Sequence, residues 1–215
     1  MSEFDKSKEI VVIGYSGHSL EIIDIIISQN YKIKGYSELV KKEKNIYGIE
    51  FLGNENKNNF KYLKSKYLFF IAIGDNDIRN RKSQLLSSRN LKQINVIHQD
   101  ASISNNLKIG FGNFLSRNVS INNSVEIGDN VIVNTSAIIE HECKIHNGSH
   151  IAPGAVICGG VTIKKGAFIG ANSIIRENVC IGENVIVGAG SVVLNNVPDN
   201  SLVFGNPSKI KYVKK

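Results

Sequence analysis

The sequence predicts a small α/β domain followed by a parallel β-helix. A strict six-residue apolar period fills the C-terminal half, strands alternate with helices before it, and the pattern changes near residue 100. An α-helix repeats every 3.6 residues and a simple strand every two, so a period of six fits neither and is typical of a β-helix. We therefore expect domains at residues 1–98 and 99–203, and a C-terminal tail at 204–215.

The first domain is predicted to be a small Rossmann-like parallel sheet. Residues 10–13 form an apolar strand that runs into a glycine turn at 14–18, and residues 19–29 suit a helix. The remaining expected elements are strands at 31–36, 68–73 and 93–97, a helix at 77–88, and a solvated helix or loop at 54–66. Strands that alternate with helices favour a parallel sheet.

The second domain contains sixteen apolar residues that stand six apart without interruption. Each marks a short strand and a corner, so three hexapeptides close one coil of 18 residues, and about five coils result. Each inward side chain stacks on its equivalent one strand spacing away, about 4.8 Å, and no coil is stable without its neighbours. These residues are Ile103, Ile109, Leu115, Ile121, Ile127, Val133, Ile139, Ile145, Ile151, Ile157, Ile163, Ile169, Ile175, Ile181, Val187 and Val193.

Composition excludes several classes of function. The 215 residues carry a net charge of +7 without a basic run interleaved with aromatic residues, which argues against nucleic-acid binding and suits phosphate-bearing small molecules. The N-terminus has no signal-peptide character and the chain has no long apolar run, so we expect a cytoplasmic protein without membrane insertion. Three cysteines without CxxC spacing indicate free thiols.

The best candidate for chemistry is a histidine in the middle of the repeats. His141 follows the inward Ile139 by two positions, which places it at a corner, facing outward. The flanking Glu140 and Glu142 are suited to hold its ring and raise its basicity, as a general base requires. One coil later, the glycines at 159–160 leave room for a substrate and bare backbone N–H groups. The residues alone leave open whether His141 is a base or a polar corner residue.

Several motifs together give the chain a family resemblance. It resembles the left-handed β-helix acyltransferases, in the branch with an N-terminal nucleotide-sugar-binding domain. That branch includes UDP-N-acetylbacillosamine and perosamine N-acetyltransferases and sialic acid O-acetyltransferase-like proteins. The motifs are the sequences at 14–18, at 70–76 with Arg79, at 134–136, at 139–143 and at 205–209.

The resemblance implies a direct acetyl transfer from acetyl-CoA. His141 would take a proton from the sugar amine, and Glu142 would raise the basicity of His141. Four positions match cofactor contacts in the family, the first of them near the reacting carbonyl: His150, Gly159, Ala171 and Ala189. No metal is expected.

The resemblance also implies where the nucleotide binds. Ser16, Gly17 and His18 would hold the diphosphate, since backbone N–H groups of a glycine turn at a helix start suit phosphate. Gly74 would approach the nucleoside, and the pair Ser37-Glu38 stands where the family has acidic residues, with Ser37 in place of one carboxylate. The turn is not a GxGxxG sequence, so an NAD-binding interpretation fails.

We therefore predict an N-acetyltransferase that acts on a nucleotide-linked amino sugar, with a UDP-linked 4-amino sugar first. The alternatives are a sialic acid or capsular sugar O-acetyltransferase, a GDP-perosamine N-acetyltransferase, a γ-carbonic-anhydrase-like zinc enzyme and an inactive scaffold. The zinc alternative would use His141 and His146, but the third ligand position holds Asn105. We also expect a homotrimer, because flat β-helix sides pack with closed symmetry and leave clefts for a long ligand.

Overall fold

The structure is a computed structural model that describes residues 7–213. It divides into two compact units, one ending at Val96 and the other beginning at Ile97.

The first unit is the predicted α/β sheet. Its elements are β1 (Ile10–Ile13), α1 (Gly17–Ser28), β2 (Ile33–Ser37), β3 (Phe51–Gly53), β4 (Leu68–Ile71) and α2 (Asn76–Ser88). The strands pair in parallel in the order β3-β2-β1-β4. β1 therefore lies between two neighbours and is buried along its whole length, which explains its uninterrupted apolar sequence.

The two helices bury different kinds of side chain. α1 buries Ile22, Ile23, Ile25 and Ile26 against the unit's core. α2 begins at the N-cap Asp75, whose carboxylate accepts a hydrogen bond from the Ile78 N–H at 2.8 Å, and it buries Arg79, Ser83 and Leu86. Within the described residues, neither helix has the length and apolar character needed to cross a membrane.

Two local details differ from the prediction. Of the strand predicted at 93–97, only Val96–Ile97 (β5) is a strand, and it joins a sheet of the second unit. Gln93 instead forms one isolated bridge with Phe69. β3 was not predicted, because three residues are too few to show alternation. Residues 54–66, predicted as a helix or loop, form turns and bends.

The second unit is the predicted parallel β-helix. The strands of its coils, each two residues long, are β6 (Ser102–Ile103), β7 (Lys108–Ile109), β8 (Phe114–Leu115), β9 (Ser120–Ile121), β10 (Glu126–Ile127), β11 (Ile132–Val133), β12 (Ile138–Ile139), β13 (Lys144–Ile145), β14 (His150–Ile151), β15 (Val156–Ile157), β16 (Thr162–Ile163), β17 (Phe168–Ile169), β18 (Ile174–Ile175), β19 (Cys180–Ile181), β20 (Ile186–Val187) and β21 (Val192–Val193). Every third strand belongs to the same parallel sheet.

The inward column has the predicted register. Ile127 pairs with Ile145, which pairs with Ile163 in turn. All sixteen period-six residues are buried except Ile103 and Ile109, which lie in the first coil and are half-buried. The repeat therefore forms one continuous aliphatic core.

The outer faces of the column differ in polarity. The five-stranded sheet, which contains β10 and β13, presents mainly polar and charged residues outward: Lys108, Glu126, Lys144, Thr162 and Cys180. The six-stranded sheet, which contains β12 and β15, presents an aliphatic stripe: Ile138, Val156, Ile174 and Val192. The aliphatic stripe is a surface suited to contact with another protein surface.

A hairpin ends the column. β22 (Ser201–Gly205) pairs in parallel with β20, and β23 (Ser208–Val213) folds back antiparallel on β22. The segment expected as a C-terminal tail thus contributes a strand and extends the eight-stranded sheet.

Candidate active site

His141 and Glu142 form a hydrogen-bonded pair at the turn between β12 and β13. The Nδ1 atom of His141 lies 3.0 Å from Oε2 of Glu142, and the side chains are 58% and 71% exposed. An ionised carboxylate only accepts hydrogen bonds, so Nδ1 must carry the proton that is donated. Nε2 of the neutral ring then keeps its lone pair, which is the arrangement a general base requires.

Gly159 lies against the His141 ring in the next coil. A Cβ atom at position 159 would stand 2.6 Å from Cε1 and 2.8 Å from Nε2 of His141. The Gly160 N–H donates to the His141 carbonyl at 2.9 Å, and the Cys143 thiol donates to the Cys158 carbonyl at 3.1 Å, so the two coils are tied together here. Burial raises the pKa of Cys143 to about 11, which keeps this thiol a donor. Any side chain at position 159 would therefore displace the His141 ring from this position.

Two details of the predicted base differ in the structure. Glu140 does not join the pair: its Oε2 accepts from Nδ2 of Asn122 in the preceding coil at 2.9 Å. The Gly160 N–H is committed to the His141 carbonyl, so it is not a bare donor for a reacting oxygen. The side chain that holds the ring is Glu142.

His150 lies on another face of the column. It is buried on β14, in the eight-stranded sheet, and packs edge-on against Phe168 with ring centroids 4.9 Å apart. Its Nε2 is 3.5 Å from Nδ2 of Asn134. His141, by contrast, lies at the corner between the six-stranded and five-stranded sheets. Within one column, these two histidines therefore belong to different faces.

Ala171 and Ala189 occupy equivalent turns one coil apart. The Gly190 N–H donates to the Ala171 carbonyl at 2.8 Å, and a Cβ on Gly170 would meet the Ala189 nitrogen at 2.5 Å. The coils are thus closely packed here.

In the first unit, Ser16, Ser37 and Glu38 line one cavity of about 600 Å³. The cavity lies at the carboxyl ends of the strands, where the strand order changes direction at β1, which is the usual ligand site of such sheets. Gly14 in its wall has φ +98°, and a Cβ there would meet Cγ1 of Ile73 at 2.7 Å. Exposed Ser16 and Gly17 begin α1, whose first turn contains no carboxylate.

Arg79 organises the loop that follows β4. Its buried guanidinium donates to the carbonyls of Ile73 and Gly74 at 3.1 and 3.0 Å and to Oδ1 of Asn76 at 2.8 Å. Burial lowers the pKa of Arg79 to about 10, so it remains charged. A Cβ on Gly74 would meet nothing within 4 Å, so packing alone does not require glycine there.

His18 lies in the first turn of α1 and is uncharged at neutral pH. Burial and the nearby Arg79 cation lower the pKa of His18 to about 4. A neutral imidazole offers one N–H donor without adding charge.

Ser37 and Glu38 have different surroundings. Ser37 is fully buried, and its hydroxyl donates to the Glu55 carboxylate, which also forms an ion pair with Lys82. Glu38 accepts from the Tyr15 N–H at 3.2 Å and from the Leu39 N–H at 2.8 Å, and thus faces the cavity in a fixed position. Sequence reasoning missed Glu55 and Lys82, because an ion pair between distant segments leaves no local pattern.

Among residues 7–213, no group of three or more His, Cys, Asp or Glu side chains is arranged to hold a metal ion. His146, the second histidine of the zinc alternative, is exposed after β13.

Two sequence families match the chain. Residues 9–86 match the PglD N-terminal domain, and residues 124–159 and 160–195 match the bacterial transferase hexapeptide family, whose unit has six repeats. A curated protein, the uncharacterized L142 of Acanthamoeba polyphaga mimivirus, is 32% identical over 115 residues. That match spans 54% of this chain but only 22% of the viral protein.

Solved structures match nearly the whole chain. PerB and a variant perosamine N-acetyltransferase, both from Caulobacter crescentus and both in complex with CoA and GDP-perosamine, are 30% and 28% identical, with a TM-score of 0.86 over 95% of this chain and 97% of theirs. The acetyltransferase domain of PglB from Neisseria gonorrhoeae, in complex with acetyl coenzyme A, is 26% identical with a TM-score of 0.87, over 94% of this chain and 98% of that one.

Proposed function

Since the chain belongs to the left-handed β-helix sugar N-acetyltransferases with a PglD-type N-terminal domain, we propose that it transfers the acetyl group of acetyl-CoA to the amine of a nucleotide-linked amino sugar. A UDP-linked 4-amino sugar is the acceptor we propose first. The observation that carries the proposal is the His141–Glu142 pair packed against Gly159. We also propose a cytoplasmic location, which the proposed use of acetyl-CoA and nucleotide sugars supports.

The proposed chemistry is a direct transfer. The neutral amine attacks the thioester carbonyl, an N–C bond forms, and the C–S bond breaks to release the CoA thiolate. Nε2 of His141 takes the proton that the amine loses, and the Glu142 carboxylate stabilises the resulting imidazolium. Holding both reactants in one cleft supplies much of the lowering of the barrier.

The cofactor would run along the column. His150 would contact acetyl-CoA near its carbonyl, and Gly159 would border the same end. The backbones of Ala171 and Ala189 would contact the pantetheine arm, which the stacking of their turns one coil apart supports. The two equivalent turns would contact the pantetheine arm at points about 4.8 Å apart.

The nucleotide would occupy the cavity of the first unit. Ser16, Gly17 and His18 would hold the diphosphate at the start of α1, where the helix dipole favours anions. Glu38 would accept hydrogen bonds from the nucleoside, and Ser37 would act through the Glu55 carboxylate that it contacts. Gly74 would border the nucleoside from the loop after β4.

We propose that the enzyme is a homotrimer in which neighbouring columns complete the site. His141 and His150 lie on different faces of one column, so a cofactor that touches both requires a second copy. The aliphatic stripe of the six-stranded sheet provides an apolar surface for that contact.

Replacing Ile174 by Lys, in the middle of the stripe and 42% exposed, is expected to break the trimer. A charge would be buried at the interface without a partner, which is costly. Sedimentation should show a monomer with little activity, whereas Thr162→Lys on the polar five-stranded sheet should remain trimeric. A fully active wild-type monomer at assay concentrations would contradict the proposal.

An acceptor panel tests the proposed activity. CoA release is measured with UDP-, GDP- and dTDP-linked 4-amino sugars and with sialic acid. The control is the set of corresponding nucleotide sugars that carry a hydroxyl in place of the amine. We expect turnover with amino sugars only, and fastest with the UDP form. Turnover of sialic acid but of no amino sugar would overturn the N-acetyltransferase proposal.

A further inference from the structure

A charged cluster in the cavity wall contains Lys82, which has no role in the function proposed above. The carboxylate of Glu55 is buried and forms an ion pair with Lys82, whose side chain is 14% exposed. Nζ of Lys82 also donates to Oδ1 of Asn56 at 2.7 Å. Glu55, Asn56 and Lys82 all line the 600 Å³ cavity together with Glu38.

Each acceptor oxygen of the cluster already accepts a hydrogen bond from within it. One Glu55 oxygen accepts from the Ser37 hydroxyl and the other from Lys82, while Oδ1 of Asn56 accepts from Lys82. Burial alone would raise the pKa of Glu55, but hydrogen bonds from Lys82 and Ser37 outweigh burial and lower it. The Glu55 carboxylate is therefore charged at neutral pH.

The polar groups of the cluster that make no described hydrogen bond are donors. An ammonium has three N–H bonds, and the two described contacts of Lys82 use two of them. The Asn56 side chain keeps its NH₂ group on the opposite side from the bonded oxygen. The cluster therefore presents donors to a ligand in the cavity.

The rest of this end of the cavity suits a flat ring. Leu39, Ile78 and Leu85 line the cavity beside the cluster. Diphosphate at Ser16 would place the nucleoside further along, past the carboxyl ends of β2 and β3, as in other sheets of this kind. An apolar wall with a few convergent polar groups is the usual composition of such a subsite.

We propose that Lys82, positioned by Glu55, is a specificity-determining residue that donates a hydrogen bond to a carbonyl oxygen of the nucleobase. The cavity then selects an oxo-base such as uracil or guanine over adenine, which has no carbonyl oxygen. This inference rests on the proposed function and specifies which nucleotides the same site accepts.

Binding of UDP, GDP and ADP to the full chain, measured by calorimetry, tests the inference. The wild type should bind UDP or GDP at least about 10-fold more tightly than ADP. Lys82→Met should weaken the preferred nucleotide about 10- to 100-fold, the usual range for a lost hydrogen bond to a charged group, and should leave ADP nearly unchanged. Lys82→Arg should retain most of the preference.

Two controls separate recognition from stability. The double variant Glu55→Gln/Lys82→Met removes the buried charge that the single variant leaves unpaired, and it should lose the same preference. Lys34→Met breaks the 3.1 Å Lys34–Glu50 surface pair of the same unit and should bind like wild type. An unchanged ratio between nucleotides in Lys82→Met, or an ADP preference in the wild type, would overturn the inference alone. Absence of binding to all three would overturn the proposed function as well.

Discussion

Replacement of His141 by alanine is expected to lower kcat by about 10²- to 10⁴-fold, the usual contribution of a general base. The KM for acetyl-CoA should change little, because the base acts on the proton that the amine loses in the transition state. Rates of CoA release at varied concentrations of each substrate measure both constants. Added imidazole is expected to restore part of the activity, since it can enter the exposed site that the ring leaves.

Two further variants show whether the effect belongs to the His141–Glu142 pair. Glu142→Gln should cost less than His141→Ala, because it removes the charge that stabilises the imidazolium but keeps an acceptor for Nδ1. Glutamine is preferable to alanine there, since Glu142 already has φ +59° and any further change in local contacts is best avoided. His146→Ala, at an exposed histidine after β13, is the matched control and should act like wild type. Near-normal kcat in His141→Ala would leave His141 as a polar corner residue.

Gly159→Ala is expected to lower kcat by about 10²-fold with little change in the free energy of unfolding. The new Cβ would stand 2.6 Å from Cε1 of His141, so the exposed ring must move away while the buried core stays in place. A displacement of a catalytic group by about 1 Å can cost on the order of 10²-fold in rate. Steady-state kinetics and thermal unfolding of the same preparation measure both effects.

A double-mutant cycle tests whether Gly159→Ala lowers kcat by displacing the His141 ring. In the His141→Ala background, Gly159→Ala should add little, because the ring that the methyl group displaces is already absent. Gly182→Ala is the control for packing: its Cβ would meet the Asp199 nitrogen at 2.5 Å, and it should lower Tm without changing kcat of the folded enzyme. Additive losses in the cycle would mean that Gly159 acts independently of His141.

The β-helix could be predicted almost residue by residue because its information is local and repeated. A side chain such as Ile145 meets the same kind of neighbour above and below, Ile127 and Ile163, so the spacing alone fixes its direction and partners. The same arithmetic predicts from the sequence alone that Gly159 lies beside His141, and the structure has them in contact. Residues 18 positions apart lie next to each other in adjacent coils of this fold.

The α/β unit could be predicted only in outline, because its contacts join distant segments. β3 has three residues and is a strand because β2 offers it an edge. The pair Glu55–Lys82 joins a loop to α2, and the Asn- and Lys-rich sequence around Glu55 shows only that the segment is polar. Tertiary context, which no spacing in the sequence encodes, brings these charges together.

The uniform coils of the second unit also fix the distances between residues along the β-helix axis. Each coil adds 18 residues and one strand spacing of about 4.8 Å, and the hydrogen bonds between coils hold that increment constant. Point substitutions, such as one at Gly159, change the side chains on a coil but not the spacing between coils. The separation of His141 and Ala189 along the axis of the β-helix can therefore change only in steps of one coil. A ligand of different length could be matched only by the gain or loss of a whole coil.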